Sequence, residues 1–424
     1  MALVSRYPAS PEVLGGELVR QSSRARVQRC GGIRIGLVHW AFPPTVGGVE
    51  SYLWNCSRLL VGLGHQVTVF TGTPGARVPP VDGVEVLRHP GLDLSWATGD
   101  QEERESLREW FRVELAARDI RLVHGHNLHH FTAAPAEALL DLRDVLGLVL
   151  LHTYHSIWRE PESVALAEAC GRFDAHFAVS GFLSDACSKA LGVNCAKPMY
   201  LGIDTKPYLR IPELADPKAG EEVAILLPAR LIPDKGAELA VEALTKVLAV
   251  DLPVRPYLVL MDTPDSIDFH GEKVGFQASV RMLAKSLEIP DQVRFERADV
   301  DGMPDLYRRA RVVICPSTFP EPMGLVALEA MCAARPVIAT RVGGLAEGIG
   351  EDGVSGFLVA PGDVDDLALR ITELLCCPEL AWSVGNAARK RVQEEFDLED
   401  RCLPPLVEAY EEALRQAAAR IPHP

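Results

Sequence analysis

Short apolar runs rich in Val, Ile and Leu alternate along this chain with longer stretches whose apolar positions recur every three to four residues. That pattern predicts parallel strands covered on both faces by helices, since a strand buried on both sides is apolar throughout. In the first half it predicts strands at 33–40, 66–71, 84–88, 121–125, 147–152 and 176–180, with helices at 48–63, 102–117, 132–142 and 181–191. In the second half the strands are expected at 223–227, 257–261, 293–296, 312–315 and 336–340, with helices at 237–248, 276–287, 304–309 and 325–332. Helices at 365–375, 379–395 and 402–418 close the chain. Residues 207–220 hold four prolines and glycines without clear periodicity, which marks a linker. The expected organisation is an N-terminal extension (1–32), two Rossmann-like α/β domains (33–206 and 221–400) and a terminal helix (401–424).

Composition narrows the class of partner. A chain of 424 residues has room for two domains of about 200 residues each. Its net charge of −15, with no basic face along the sequence, argues against nucleic acid. The ten cysteines are scattered without a C-x2-C pair, which favours a reduced cytoplasmic protein over a disulfide framework. No apolar run is long enough to span a bilayer, and the first 32 residues lack the apolar core of a signal peptide.

The chemistry concentrates in four charged residues. Arg230 and Lys235 follow a predicted strand, in Pro228-Ala-Arg-Leu-Ile-Pro-Asp-Lys-Gly236, and Glu321 and Glu329 bracket the start of a predicted helix. Glu321 precedes Pro322 and Gly324 and so belongs in a turn. The helix that follows would present free backbone N–H groups at Gly324, Leu325 and Val326, a good site for phosphate. A carboxylate accepts two hydroxyl hydrogen bonds well, so one Glu suits a hexose diol and the other a ribose diol, with both cations on the diphosphate between them. A nucleotide-sugar has this layout.

Two further groups invite a chemical reading. Gly47-Gly48, after the first strand, would let backbone approach a reacting phosphate or sugar, or form an ordinary strand-to-helix turn. Histidines cluster in His124-Gly-His-Asn-Leu-His-His130 and His152-Thr-Tyr-His155. No Cys or carboxylate with supporting spacing lies near them, so no metal site is expected. His126 would line the acceptor side, with Trp158, Arg159, His129 and Trp40 as further pocket or core residues.

Taken in order, these segments resemble the GT4 family of retaining glycosyltransferases. The resemblance runs from about residue 33 to past 370. It rests on Pro43-Pro-Thr-Val-Gly-Gly-Val-Glu50, Thr153-Tyr-His155, Phe177-Ala-Val-Ser180, Tyr200-Leu-Gly-Ile-Asp204, Arg230…Lys235-Gly236, the Glu321…Glu329 pair and Pro336-Val-Ile-Ala-Thr-Arg-Val-Gly-Gly-Leu-Ala-Glu347. It implies the GT-B fold, in which two Rossmann-like domains face across a cleft and the last helix returns to the first domain. It also implies transfer with retention of anomeric configuration, the acceptor's proton passing to the leaving phosphate. On that analogy Glu321 holds sugar hydroxyls, Glu329 grips the ribose, Arg230 and Lys235 carry leaving-group charge, and His155 contacts the donor sugar.

Asp299-Val-Asp301 and Asp363-Val-Asp365 have the D-x-D form that chelates metal in the other main glycosyltransferase fold. Here a loop and a helix cap are the expected explanations, and no cofactor or metal is expected. The chain also departs from the family around the nucleotide pocket. Met261-Asp-Thr-Pro-Asp265 and Glu296-Arg-Ala-Asp299 replace glycine-bearing turns, and Met323 stands where an aromatic residue is common. The choice of UDP or GDP therefore stays open.

Residues 32–205 carry 14 Lys and Arg against 20 Asp and Glu, a balance that disfavours docking to an anionic membrane. A soluble small-molecule acceptor is the preferred expectation, as in specialised biosynthesis. A lipid or polysaccharide acceptor, or a catalytically silent nucleotide-sugar binder, are the alternatives. A phosphorylase on the same fold would need a pyridoxal-phosphate lysine.

Overall fold

A computed structural model of the protein describes residues 32–45, 47–72, 83–93, 97, 99–156, 161–192, 198–262, 275–298 and 301–420. The chain divides into two compact units: residues 1–153, 159–176 and 399–424 form one, and residues 154–158 and 177–398 form the other.

The first sheet consists of β1 (Arg34–Val38), β2 (Gln66–Thr71), β3 (Val84–Arg88), β4 (Leu122–His126), β5 (Val149–Tyr154) and β6 (Ala175–Ala178), in the order β3-β2-β1-β4-β5-β6. The second consists of β7 (Glu222–Leu227), β8 (Arg255–Met261), β9 (Val293–Glu296), β10 (Ala310–Cys315), β11 (Val337–Thr340) and β12 (Phe357–Val359), in the order β12-β11-β10-β7-β8-β9. The pairs β1–β2, β1–β4, β7–β8 and β7–β10 all run parallel. Every residue of β4, β5 and β10 is buried, as strands covered on both faces must be.

Helices cover the sheets with faces set by their apolar period. Ala237–Leu248 buries Ala237, Ala240, Val241, Leu244 and Val247, a stripe at helical spacing that packs with Ile225, Leu260 and Ile314. In the first unit, Leu107, Phe111 and Leu115 of Gln101–Ala117 form the corresponding stripe. Side-chain caps start three of the helices: Asp100 accepts from the Glu103 N–H at 2.8 Å, Ser180 from Leu183 at 3.2 Å and Asp363 from Asp366 at 2.9 Å. Asp363-Val-Asp365 is thus a helix start in the structure. Asp299 lies outside the described residues.

Four elements depart from the sequence reading. The second sheet has a sixth strand, β12, whose three residues give too short a run to show a period. Gly343–Ile349 forms a helix despite three glycines, which intrinsic propensity disfavours. Pro161–Gly171 forms another that was not expected. A short helix at Lys206–Leu209 also occupies the start of the aperiodic segment 207–220 and buries Tyr208.

The final helix, Leu403–Ala419, groups with the first unit. Its Tyr410 hydroxyl lies 2.7 Å from Nδ1 of His124, whose Nε2 lies 2.7 Å from the Thr153 hydroxyl. His124 is fully buried, and that burial pushes its pKa down to about 3. The eight described cysteines are free thiols, and no helix among the described residues is long and apolar enough to cross a membrane.

The His124 arrangement sets a stability expectation. Tyr410→Phe removes one hydroxyl partner of a buried imidazole and should cost about 1–3 kcal/mol in urea denaturation at pH 7.5. Because the folded imidazole stays neutral, the stability His124 confers is present above pH 6.5 and lost as pH falls toward 3, which acid titration by circular dichroism would follow.

Candidate active site

β7 and β10 are neighbours at the centre of the second sheet, and strand order reverses between them. Loops leaving the carboxyl ends of such a pair diverge and open a crevice, the usual ligand position in an open α/β sheet. This topology brings Lys235 to Glu321, 86 residues later, where the two form a direct ion pair. The Ser317 hydroxyl donates to the same Glu321 Oε1 at 2.7 Å, and the Lys235 ammonium lies 4.6 Å from the centre of the Phe319 ring. Their side chains are 16% and 12% exposed, low enough for the pair to feel little solvent screening yet open to a ligand on one side.

Local backbone holds this pair together. Pro233–Lys235 is a single 3-10 turn that ends at Gly236 in the left-handed region, φ 74°. A Cβ at Gly236 would stand 2.1 Å from the Pro316 carbonyl oxygen, so the two loops can meet only through glycine. The Thr318 N–H donates to the Asp234 carbonyl at 2.9 Å and fastens the same approach. Arg230, also after β7, is exposed.

The turn carrying Glu321 leads into the helix Leu325–Cys332 through Gly324, φ 81°. No side chain caps that helix, and its first turn holds no acidic residue, so the positive end of its dipole is available to an anion at Gly324, Leu325 and Val326. Met323 is buried, with Gly348 beside it.

Glu329 sits further along this helix and is half-buried. The Tyr307 hydroxyl lies 2.8 Å from Glu329 Oε2, and the Tyr208 phenol stands near enough to act on the same carboxyl. Burial pushes the Glu329 pKa up to about 7, against the opposing pull of the two tyrosines. Neither tyrosine was singled out by the sequence: Tyr307 lies on Met303–Arg309 and Tyr208 in the supposed linker, and only the tertiary fold brings them to position 329.

Another expected residue of this unit, His155, is buried just beyond β5. Trp158 and Arg159 lie outside the described residues. In the first unit, Gly47 precedes the helix Gly48–Gly62, whose Glu50 carboxylate would meet a Cβ at Gly47 at 2.3 Å. His126 ends β4, with its carbonyl 2.8 Å from His39 Nδ1 and its ring 6.3 Å from that of Tyr52. His126, His129, His130 and His152 are all buried, and Trp40 is buried with its indole N–H donating to the Asn127 carbonyl at 2.8 Å. Among the described residues, no group of three or more His, Cys, Asp or Glu side chains could hold a metal ion.

Residues 46–206 match the family model described as Glycosyltransferase Family 4, and residues 215–391 that of glycosyl transferases group 1. A D-inositol 3-phosphate glycosyltransferase of Geodermatophilus obscurus is 28% identical over 404 residues, covering 88% of this chain and 86% of the relative. The solved sucrose-phosphate synthase of Thermosynechococcus elongatus superposes with a TM-score of 0.76 at 23% identity, covering 91% of this chain and all of that one. Anabaena HepE, solved in complex with UDP-glucose, has a TM-score of 0.65 at 20% identity, with 91% and 100% covered.

The raised pKa of Glu329 carries a testable consequence. The folded state holds this proton more tightly than the unfolded chain does, so wild-type stability declines as pH rises from 4.5 through about 7. Glu329→Gln, neutral throughout, should remove that slope and gain on the order of 2–3 kcal/mol relative to wild type between pH 5 and pH 8, read by chemical denaturation.

Proposed function

The chain belongs to the GT4-type glycosyltransferases of the GT-B fold, and from that premise we propose that it is a retaining, metal-independent transferase. It moves a sugar from a UDP- or GDP-sugar to a soluble small-molecule acceptor. The observation that carries this reading is the Glu321 carboxylate, held by Lys235 and Ser317 beside an uncapped helix amino end, with Glu329 further along the same helix. On this reading the Lys235 ammonium, Arg230 and the helix dipole meet the diphosphate, and the two carboxylates meet the two sugars; the Lys235–Glu321 pair and the uncapped helix support it.

In the transfer, the bond between the donor's anomeric carbon and the diphosphate oxygen breaks as the acceptor oxygen attacks from the same face. The acceptor's proton passes to the departing phosphate oxygen. Negative charge grows on that phosphate, and Lys235, Arg230 and the N–H groups at Gly324, Leu325 and Val326 stabilise it without a divalent ion. Glu321 holds the transferred sugar's hydroxyls, with His155 beside the same sugar, and Glu329 holds the ribose. The pairing of Lys235 with Glu321 fixes both before substrate arrives, so little reorganisation is needed. HepE's complex with UDP-glucose supports a nucleoside-diphosphate donor, and the relative named for D-inositol 3-phosphate supports a small polar acceptor.

A panel of UDP- and GDP-sugars with candidate acceptors, scored for nucleoside diphosphate release, should identify a donor, and EDTA should leave the rate unchanged. Proton NMR of the product should show the donor's anomeric configuration. Lys235→Ala and Glu321→Ala should each lower kcat by about 100- to 1,000-fold with an unchanged circular dichroism spectrum. Near-normal kcat in both variants, or inversion at the anomeric carbon, would overturn the reading.

A further inference from the structure

The ring of Tyr307 is fully buried and that of Tyr208 nearly so, and they meet edge to face with centroids 5.7 Å apart. Core aromatic rings need no hydroxyl, and a buried hydroxyl costs free energy unless it is bonded. The Tyr307 hydroxyl is nevertheless turned to a carboxyl group, that of Glu329, and the Tyr208 phenol packed against it is near enough to act on the same group. The Tyr307 hydroxyl also lies 3.1 Å from the Val326 carbonyl oxygen, one helical turn before Glu329.

The segments carrying these tyrosines are themselves fastened. Arg335 is buried, and its guanidinium donates from Nε to the Tyr307 carbonyl at 2.8 Å and from Nη2 to the Pro212 carbonyl at 2.9 Å. Arg389 donates to the Ile211 carbonyl at 2.7 Å and to the Cys332 carbonyl at 2.9 Å, tying the chain after Tyr208 to the far end of the Glu329 helix. The carboxyl is thus held by the Tyr307 hydroxyl, with Tyr208 packed behind it, and both tyrosines stand on tethered main chain. A carboxylate has about four acceptor positions, so even two tyrosine donors would leave room for a vicinal diol.

We propose that Tyr307 and Tyr208 are positioning residues of the nucleotide site, which orient the Glu329 carboxylate toward the donor's ribose and so set the preference for ribonucleotide over deoxyribonucleotide carriers. This rests on the assignment of Glu329 to the ribose. The tyrosines act through Glu329 and touch no substrate. Removing either hydroxyl leaves the ring in place but frees the carboxyl to rotate, so the loss falls on ribose recognition and spares the phosphate end at Lys235.

The test is calorimetric titration with UDP and GDP, each beside its 2′-deoxy counterpart, against wild type, Tyr307→Phe, Tyr208→Phe and Glu329→Gln. Wild type should bind the ribonucleotide about 10-fold or more tightly than the deoxy form, as expected of a hydrogen bond to a charged group. Each Phe variant should weaken the ribonucleotide about 10-fold and change the deoxynucleotide less than about 2-fold, raising KM for the nucleotide-sugar while kcat at saturation holds. Tyr307→Phe placed on Glu329→Gln should add no further loss. Equal weakening of ribo and deoxy forms, or an undiminished ribose preference in both Phe variants, overturns the role of the tyrosines. Wild type binding both forms equally would instead overturn the ribose assignment of Glu329, and the proposal with it. Because either Phe change could disturb the core, a thermal melt accompanies each, and a ribose-selective loss in the variant that melts normally is the supporting result.

Discussion

Everything in the second unit's site hangs on how closely two glycines approach the turn that carries Glu321. The Gly344 N–H donates to the Glu321 carbonyl at 2.8 Å. A Cβ at Gly344 would stand 2.0 Å from the Pro322 carbonyl oxygen, and one at Gly343, φ 53°, would stand 2.3 Å from the Glu321 carbonyl oxygen. Any other residue would push the turn outward. The turn in turn sets Gly324, and Gly324 sets the axis of the helix bearing Glu329. A contact between backbones therefore fixes both the separation of the two carboxylates and the aim of the helix dipole between them. The same requirement explains why Gly343–Ile349 is a helix rich in glycine, where propensity alone would forbid one.

The two carboxylates share a helix approach but live in different electrical surroundings. Glu321 has an ammonium and a hydroxyl as partners, so its charge is met before any ligand comes. Glu329 has the neutral Tyr307 phenol as its hydrogen-bond partner among the described residues, and burial pushes its pKa up to about 7. Near neutral pH one end of the site is ionic, while the other hovers between acid and base. A sugar's hydroxyls can donate to an ionised carboxylate or both donate to and accept from a protonated one, so hydroxyl recognition tolerates this difference. Phosphate recognition would not, and the Lys235 ammonium accordingly lies at the Glu321 end.

Much of the frame was legible in the sequence because it is repetitive. The helix Leu325–Cys332 and the helix Ala237–Leu248 were placed to the residue, since the first is a nearly unbroken apolar run, the second has an apolar stripe, and each has a glycine at its start. The direct pairing of Lys235 with Glu321 was not expected, the cation having been assigned to a diphosphate and the carboxylate to a sugar; its cause is sheet order, which local pattern does not contain. β12 was missed for its brevity. The tyrosines at 208 and 307 were missed for a deeper reason: in sequence, a buried hydroxyl aimed at a carboxylate looks like any other core aromatic. The histidines of β4 and β5 show the opposite case. Their clustering suggests chemistry, yet His124 is fully buried between Tyr410 and Thr153 and kept neutral by burial.

The segment after Lys206 shows how an uninformative stretch of sequence can still be tightly specified. Its prolines and glycines give no periodicity, and a linker was the expectation. In the structure three arginines distant in sequence hold its main chain: Arg389 bonds the Ile211 carbonyl, Arg335 that of Pro212 and Arg311 that of Ala215. Arg311 and Arg335 are buried, and burial pushes the pKa of Arg335 down to about 10. A guanidinium bonded to carbonyls keeps its charge at the expense of desolvation, which only a well-ordered acceptor array can offset. The order in this segment is therefore imposed from outside it, by donors on β10, just before β11 and on the helix Pro378–Glu395. Proline suits such a role, because it removes a backbone donor while leaving the carbonyl that the arginines need.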